Sequence, residues 1–340
     1  MTPDPAIAEI VGDPLWFADR YDPGRDSIHF RRLPRAVHRA ATFLTDDYLP
    51  ANAVPLVIRR ADAMAAGVAD APVHFIFHSA FCCSTVLARA FDVDGVAMGL
   101  KEPVLLNDLI GWQHRGGTAA QIAPVLDDGL ALLARPFAAG EAVVIKPSNV
   151  TNGLAPAMLT MRPRSRALLL HAPLRTYLGS IAKKGMTGRL WARELLVKQL
   201  REGLHGFGFT AEDYLGQTDL QVAAMGWLAQ HALFAHMVGQ FGPARVATLD
   251  SETLMAEPVR AMTALARLFG LTIDAEAIVA GPAFSRHSKT GDGFGRAARD
   301  AEVSQAAGLH GDEIEKTAIW TAAVAESAGA AMALAAPLLP

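Results

Sequence analysis

The chain has 340 residues, of which 51% are hydrophobic and 19% are charged, and this composition supplies enough apolar side chains for a large buried core. The formal net charge of −3 gives no indication of binding to nucleic acid or to an anionic membrane surface. No apolar stretch reaches the length of a membrane span, and the opening residues TPDPAIAEIVGDP lack the features of a secretion signal. We therefore expect a cytoplasmic protein with no membrane span and no nucleic acid as a partner.

The first 70 residues contain several prolines and are predicted to form an irregular extension packed on the core, with one short helix over 34–44. From residue 71 onward, apolar runs alternate with segments of helical periodicity. Strands are predicted at 74–77, near 100, at 142–148, 166–173 and 244–250. Helices are predicted at 84–91, 119–137, 190–204, 219–239 and 258–270.

This alternation of strands and helices predicts an α/β fold in which a parallel β-sheet is flanked by helices. We assign residues 71–300 to the α/β domain and the helices within 185–240 to an inserted cap. Residues 301–340 are predicted to be a C-terminal helical segment that ends in an Ala-rich amphipathic helix. No linker or internal repeat divides the sequence, so we expect a single domain overall.

Residues 73–91, VHFIFHSAFCCSTVLARAF, have the outline of a phosphate-binding loop, namely an apolar strand, a stretch of small residues and a helix. Such a loop holds an anion with backbone N–H groups and the start of the helix. This one has neither glycine nor lysine, and Ser84-Thr85 occupy the positions of Lys-Ser/Thr in loops that bind nucleoside triphosphates. An ordinary strand-to-helix turn capped by Ser84 is the alternative.

Both cysteines of the chain, Cys82 and Cys83, lie in this loop. A disulfide between adjacent cysteines is strained, so both are predicted to be reduced. The start of a helix lowers the pKa of a thiol, which leaves a nucleophilic or redox role as the alternative to small residues beside a phosphate.

The loop resembles the 5′-phosphosulfate loop of the sulfotransferase superfamily, which has the same frame and ends in a pair of hydroxyl residues. Ser84 and Thr85 match that pair, and VLARAF matches the helix that follows. Phe81 stands where the family usually has Lys or Arg, and Cys83 stands where it usually has Gly. The resemblance continues through four further segments in the same order, over residues 72–293.

The second segment, LKEPVLLND at 100–108, resembles the KEP-type segment of heparan-type and several bacterial sulfotransferases. By that resemblance Glu102 is the catalytic base, with Lys101 beside it. Sulfuryl transfer requires the acceptor hydroxyl or amine to lose a proton, and a carboxylate at a strand end can accept it. A surface Lys-Glu pair is the alternative reading of these residues.

The third segment, VVIKPSNVTN at 143–152, resembles the family segment whose lysine contacts the transferring group. Lys146 ends an apolar strand, where a charge has no packing purpose. At the carboxyl end of a parallel strand it would face the ligand crevice. The resemblance implies that Lys146 neutralises charge on the bridging oxygen as the phosphosulfate bond breaks.

The fourth segment, RALLLHAPLRTYLGSIAKKG at 166–185, resembles the family strand whose arginine and following serine grip the donor's 3′-phosphate. His171 replaces that arginine, and Ser180 lies one position later than the usual serine. Arg175, with Lys183 and Lys184, is near enough in sequence to supply the missing charge. A histidine is only partly protonated at neutral pH.

The last segment, 244–271, resembles the family's late strand and helix and supports the fold more than the chemistry. The loop at 285–293 lies where the family has a basic, glycine-containing loop over the 3′-phosphate, so Arg286 and Lys289 are candidates for that contact.

The resemblance implies a P-loop type nucleotide-binding fold and an enzyme that moves a sulfuryl group from 3′-phosphoadenosine 5′-phosphosulfate (PAPS) to a hydroxyl or amine of a small molecule or glycan. Its implied catalytic residues are Glu102, Lys146 and Lys101. Its implied PAPS-binding residues are Ala80, Phe81, Cys82, Cys83, Ser84, Thr85, His171, Arg175, Ser180, Arg286 and Lys289.

No metal is expected, because His231 and His236 are poorly spaced for one helical face and no third ligand accompanies His74 and His78. Two alternatives remain open. One is another P-loop transferase, such as a small-molecule kinase, and the missing loop lysine opposes it. The other is a degenerate nucleotide-binding protein without catalysis, which the substitutions at Phe81, Cys83 and His171 favour.

Overall fold

The computed structural model describes residues 4–50, 54–68, 71–204, 207–285 and 296–339. Its strands are β1 (Trp16–Asp22), β2 (Ser27–Arg32), β3 (Leu56–Arg59), β4 (Val73–His78), β5 (Ala97–Lys101), β6 (Ala142–Lys146), β7 (Ala167–His171) and β8 (Val246–Asp250). Its helices are α1 (Pro5–Gly12), α2 (Arg35–Ala40), α3 (Arg60–Ala65), α4 (Ser84–Ala90), α5 (Val104–His114), α6 (Ala119–Leu133), α7 (Ala155–Met161), α8 (Leu174–Lys183), α9 (Gly185–Arg201), α10 (Ala211–Gly216), α11 (Asp219–Phe241), α12 (Ser251–Ala256), α13 (Pro258–Phe269), α14 (Ala275–Ala280), α15 (Pro282–Ser285) and α16 (Arg296–Ser327), with a 3₁₀ helix at Asn149–Leu154.

Five of the strands form one parallel sheet in the order β5-β6-β4-β7-β8, flanked by helices. This confirms the predicted α/β fold with a parallel sheet. Every residue of β4, β5 and β6 is buried, as expected for strands covered on both faces. The chain leaves β4 toward one edge of the sheet and leaves β6 toward the other, so the topological switch point lies at the carboxyl ends of β4 and β6. Ligands of open α/β sheets bind at such a point.

The described residues divide into two compact units. The first contains the chain up to Phe77, Thr85–Ala167 and Leu271–Ile273. The second contains His78–Ser84, Leu168–Gly270 and the described residues from Asp274 onward. The single-domain assignment, with a cap at 185–240, stays a prediction.

Residues 4–50 and 54–65 of the first unit are not irregular, as the sequence had suggested, because they contain three helices and an antiparallel sheet in the order β1-β2-β3. The strands bury apolar side chains, including Phe17 of β1 and Phe30 of β2. The prolines do not break these elements. Pro5 is the first residue of α1 and Pro34 precedes α2, both positions where a missing N–H costs little.

The second unit is centred on α11, which is buried along most of its length and packs against α8, α9 and α16. Its last strand, β8, pairs with the end of the chain. Thr248 N–H donates to Ala336 O at 2.9 Å, and Leu338 N–H donates to Thr248 O at 2.8 Å. The expected Ala-rich terminal helix is therefore wrong beyond Ser327, because Gly329 adopts a left-handed φ of 63° and Pro337 instead forms a single parallel bridge with Thr248 of β8. Within the described part of the chain, no helix is both long and apolar enough to cross a membrane.

Candidate functional site

The loop between β4 and α4 has a backbone conformation that glycine usually supplies. Ala80, Phe81 and Cys83 have φ values of 72°, 53° and 61°. Each left-handed residue with a Cβ costs on the order of 1 kcal/mol or more. The loop therefore keeps the backbone of a glycine-rich turn although it contains no glycine, and such strain is often held at ligand sites.

Hydrogen bonds from neighbouring residues of the second unit fix this loop. Ser79 N–H donates to Leu170 O, and Ala172 N–H donates to Ser79 Oγ, both at 3.0 Å. Ala80 N–H donates to His78 Nδ1 at 3.1 Å, which places the proton of a neutral His78 ring on Nε2. The loop is thus tied to the end of β7 by backbone and hydroxyl groups.

The hydroxyl pair and the cysteines follow at the start of α4. Ser84 and Thr85 are both buried, and Ser84 is the first residue of the helix. Cys82 is buried and Cys83 is half-buried, and no disulfide joins the two. Both hydroxyl residues are buried beside a strained loop, so they do not serve to solvate the surface. Their position agrees with a role in ligand binding.

The tip of the loop is aromatic and carries a lysine. The Phe81 ring lies 5.7 Å from the Tyr177 ring and 5.2 Å from the Trp191 ring. Lys184 Nζ lies 5.7 Å from the centre of the Phe81 ring, within cation–π range. Lys184 is exposed and makes no ion pair with a described residue. A cation thus reaches the loop from the junction of α8 and α9, although the loop's own sequence supplies none.

A lysine and a glutamate meet at the ends of β5 and β6 in the first unit. Lys146 is 1% exposed, and its Nζ donates to Glu102 Oε1 in an ion pair. Glu102 N–H donates to Lys146 O at 2.7 Å, and Glu102 has a left-handed φ of 54°. The Glu102 side chain is 16% exposed, so the pair lies at the surface through its carboxylate. A buried lysine with one carboxylate partner and a strained glutamate are features of functional sites more than of packing.

Phe43 covers this ion pair. Its ring centre lies 4.9 Å from Lys146 Nζ, which is again cation–π range. The sequence reasoning missed Phe43, because it treated residues 1–70 as irregular and no local pattern links FLTDDY to a strand end so far along the chain.

Lys101 has different partners from Glu102, which is its neighbour in sequence. Its Nζ donates to His38 O at 2.5 Å and to Arg39 O at 3.1 Å, so it satisfies carbonyls in the last turn of α2. Burial lowers the pKa of Lys101 to about 7. These contacts give Lys101 a structural function in the first unit, and its predicted part in catalysis stays a prediction.

Two of the residues predicted for the 3′-phosphate bond to other groups of the protein. Arg175 makes a bidentate ion pair with Glu315, with N–O distances of 2.8 and 2.7 Å. Ser180 Oγ donates to Thr176 O within α8 at 2.9 Å. None of these hydrogen bonds connects Arg175, Ser180 and His171 with one another. Arg286 and Lys289 lie outside the described residues.

His171 ends β7 among aromatic rings. Its ring lies edge-on to that of His231, with centres 4.9 Å apart, and His231 stacks on Trp227. Burial lowers the pKa of His171 and lowers that of His231 well below its ordinary value. Within the described residues, His171 Nδ1 is buried without a hydrogen-bond partner. A neutral His171 can offer a hydrogen bond to a ligand but not a positive charge.

The described residues contain no group of three or more His, Cys, Asp or Glu side chains placed to hold a metal ion.

Comparisons with known proteins gave matches among solved structures only. No family model matches the chain, and no curated protein matches it. Three sulfotransferases are among the structures to which the chain is similar. The sulfotransferase domain from the curacin biosynthetic pathway has a TM-score of 0.44 and 14% identity, over 72% of this chain and 98% of that domain. The sulfotransferase domain from the Synechococcus PCC 7002 olefin synthase has a TM-score of 0.39 and 15% identity, over 66% of this chain and 80% of that domain.

The sulfotransferase STF9 from Mycobacterium avium has a TM-score of 0.34 and 15% identity, over 67% of this chain and 63% of that protein. At these identities and TM-scores the likeness shows no activity for this chain.

Proposed function

We propose that the protein is a sulfotransferase that moves a sulfuryl group from PAPS to a hydroxyl or amine of an acceptor. The observation that carries this proposal is the ion pair between buried Lys146 and the partly exposed carboxylate of Glu102. Transfer to a hydroxyl needs a proton acceptor and a positive charge for the leaving oxygen, and these two side chains have those properties. Glu102 would accept the proton, and Lys146 would stabilise the leaving group.

The loop at residues 79–85 would hold the 5′ end of the donor. Its left-handed residues turn the backbone as a glycine-rich loop does, and the buried hydroxyls of Ser84 and Thr85 add donors. Lys184 would supply the cation that the loop sequence lacks, because its ammonium already lies over Phe81 and has no ion-pair partner among the described residues. Bound PAPS would supply the activated sulfuryl group.

The 3′ end of the donor fits this chain less well. The lowered pKa of His171 makes that ring neutral, and Arg175 would have to leave Glu315 in order to bind a phosphate. We therefore expect the 3′-phosphate to contribute little to affinity, unlike the 5′ group. These two residues favour the second candidate, a nucleotide-binding protein without catalysis, which the experiments below separate from the first.

Calorimetric titration with adenosine 3′,5′-bisphosphate tests the donor site, with Mg-ATP as the comparison ligand. We expect micromolar binding of the bisphosphate and weak binding of Mg-ATP. Lys184→Ala should weaken the binding of the bisphosphate about tenfold, the loss of one charge-assisted contact, whereas Lys198→Ala, near the end of α9, is the control and should change little. Adenosine 3′-monophosphate lacks the 5′ group and should not distinguish the two variants. If Mg-ATP binds more tightly than the bisphosphate, a kinase-like transferase is favoured over a sulfotransferase.

Glu102→Gln tests catalysis separately from binding. The amide cannot accept the proton, so turnover of PAPS with an acceptor should fall about 100-fold or more, while the affinity for the bisphosphate stays within about twofold. Glu276→Gln, on the exposed face of α14, is the control. Turnover that survives Glu102→Gln would remove Glu102 as the base. Binding of the bisphosphate without turnover of any acceptor by the wild type would favour the non-catalytic candidate.

A further inference from the structure

The buried ammonium group of Lys146 has more hydrogen-bond donors than acceptors around it. A lysine carries three N–H donors, and this side chain is 1% exposed. Within the described part of the chain, Glu102 accepts its one side-chain hydrogen bond, and the centre of the Phe43 ring lies 4.9 Å from Nζ. Because a buried cation with a single counter-ion is unfavourable, the ring is a significant second partner for this charge.

An aromatic ring is an unusual partner for an ammonium group that has to bind a ligand. Its face attracts the cation electrostatically, but it is only a weak hydrogen-bond acceptor. A carboxylate or carbonyl oxygen in the same place would hold an N–H donor firmly and compete with an incoming oxygen atom. The Phe43 ring therefore stabilises the charge of Lys146 and leaves N–H donors for a ligand.

The segment of residues 42–49, here called the strap, holds Phe43 in this position. The neighbour of Phe43, Leu44, has a fully buried side chain. Leu44 N–H donates to Lys101 O at 2.7 Å, and Val104 N–H donates to Leu44 O at 3.3 Å. The backbone of the strap is thus bonded to the chain both before and after Glu102.

Two further contacts fix the strap and the ring. The Asp46 carboxylate contacts Arg20 on β1 and Arg31 on β2, at 2.6 Å in each case. The Tyr48 ring meets the Phe43 ring edge-on, with centres 5.3 Å apart, which is a favourable geometry for two aromatic rings. A side chain that is supported in this way keeps one rotamer and can orient a neighbouring group.

We propose that Phe43 is a positioning residue that acts through Lys146, holding its ammonium group charged and oriented for the oxygen that leaves the donor's sulfur. The proposal rests on the proposed function and adds a residue to the same site. In the transfer, the acceptor oxygen bonds to sulfur and its proton passes to Glu102. The bond from sulfur to the donor's phosphate oxygen breaks, its electron pair stays on that oxygen, and Lys146 donates an N–H to it. Since this charge grows toward the transition state, Phe43 should affect the rate more than the binding of PAPS.

The NMR signal of the Lys146 ammonium group tests the contact without any turnover. Protons over the face of an aromatic ring are shielded, so in protein labelled with ¹⁵N-lysine we expect Phe43→Leu to move this signal downfield. Phe43→Tyr keeps the ring and should leave the signal near its wild-type position, and Lys146→Met identifies the signal by its loss. Phe234→Leu is the control, because that ring is buried in α11 and no lysine or arginine of the described residues lies over it.

Fluorinated phenylalanines at position 43 test the effect on the reaction. Stepwise fluorination changes the shape of the ring little but weakens its attraction for a cation. We expect kcat to fall with each added fluorine, by about tenfold over the series, while KM for PAPS stays within about twofold. The same series at Phe234 is the matched control and should leave kcat unchanged, since a packing function alone gives no such trend.

Two results would overturn the positioning function of Phe43 in an active enzyme. One is an ammonium signal that Phe43→Leu does not move, and the other is a kcat that does not follow the fluorine content of residue 43. Failure of the proposed function gives a different pattern. If the wild type binds adenosine 3′,5′-bisphosphate but turns over no acceptor, the sulfotransferase assignment is wrong and the positioning function is wrong with it.

Discussion

Lys101 and Lys146 end adjacent strands and are equally buried, each 1% exposed, but their charges have different partners. Lys146 faces a carboxylate that reaches the surface, whereas Lys101 faces only backbone carbonyls. A buried ammonium without a counter-ion is destabilised relative to its neutral form. The contacts of Lys101 are therefore structural, and the lowered pKa of this lysine makes its effect on stability depend on pH.

Lys101 should make the protein more stable as the pH rises above neutrality. Its ordinary pKa of 10.5 applies to the unfolded chain, and burial lowers the pKa to about 7 in the folded protein. Between these values the unfolded chain binds the extra proton, so the free energy of unfolding rises with pH, by at most roughly 1.4 kcal/mol per pH unit. Below pH 7 both states hold the proton and this dependence ends.

Urea unfolding at pH 7.5 and 9.5 measures this effect. Lys101→Met keeps the apolar stem and removes the titrating group, so its stability should rise less over this interval than that of the wild type. Lys316→Met, at an exposed ion pair with Asp312, is the control and should follow the wild type. Parallel curves for Lys101→Met and the wild type would contradict a lowered pKa at Lys101.

The loop between β4 and α4 has a strained backbone, and glycine at its left-handed positions would relieve that strain. Three residues with side chains adopt the left-handed conformation there, and natural turns of this kind use glycine. A conformation that costs energy and is fixed by Ser79, His78 and Leu170 is expected where ligand binding compensates for it.

Ala80→Gly should stabilise the protein by up to about 1 kcal/mol, because glycine adopts a φ of 72° without the Cβ penalty. The same change at Ala88, a buried residue within α4, should instead cost about 1 kcal/mol or more. Urea unfolding midpoints of the two variants give the comparison directly. Destabilisation of equal size at both positions would show that the loop holds no backbone strain at Ala80.

The helices and strands with a simple hydrophobic periodicity were predicted correctly from the sequence. Those whose structure depends on contacts between residues far apart in the chain were not. The apolar runs of β4, β6 and β7 and the helix from Pro258 closed by Gly270 were recognisable from composition alone. The antiparallel sheet of residues 16–59 was missed because polar residues interrupt the apolar pattern of β1 and β2 and prolines surround the strands. Helix α8 was not predicted, because it begins directly after Pro173 and that proline indicated only the end of the strand.

The sequence indicated which residues belong to the candidate site, but it did not indicate which of them contact one another. Glu102 and Lys146 were named separately from two motifs, and their ion pair depends on the register of β5 with β6, which no local pattern contains. The assignment of Lys101 beside Glu102 could not show that the left-handed backbone of Glu102, just after β5, gives the two side chains different neighbours. Phe43 meets Lys146 only in the folded chain, because it lies between α2 and β3, far from Lys146 in sequence.

For the molecule as a whole, the end of the chain protects the sheet. β8 is an edge strand of the five-stranded sheet, and Thr248 is paired through its N–H, its carbonyl and its hydroxyl with Ala336, Leu338 and Ala335. An unpaired edge is a template for intermolecular strand pairing. Ending the chain before Ala335 would remove all three bonds and leave an apolar edge open to a second molecule. Residues 335–338 thus act against intermolecular strand pairing at this edge.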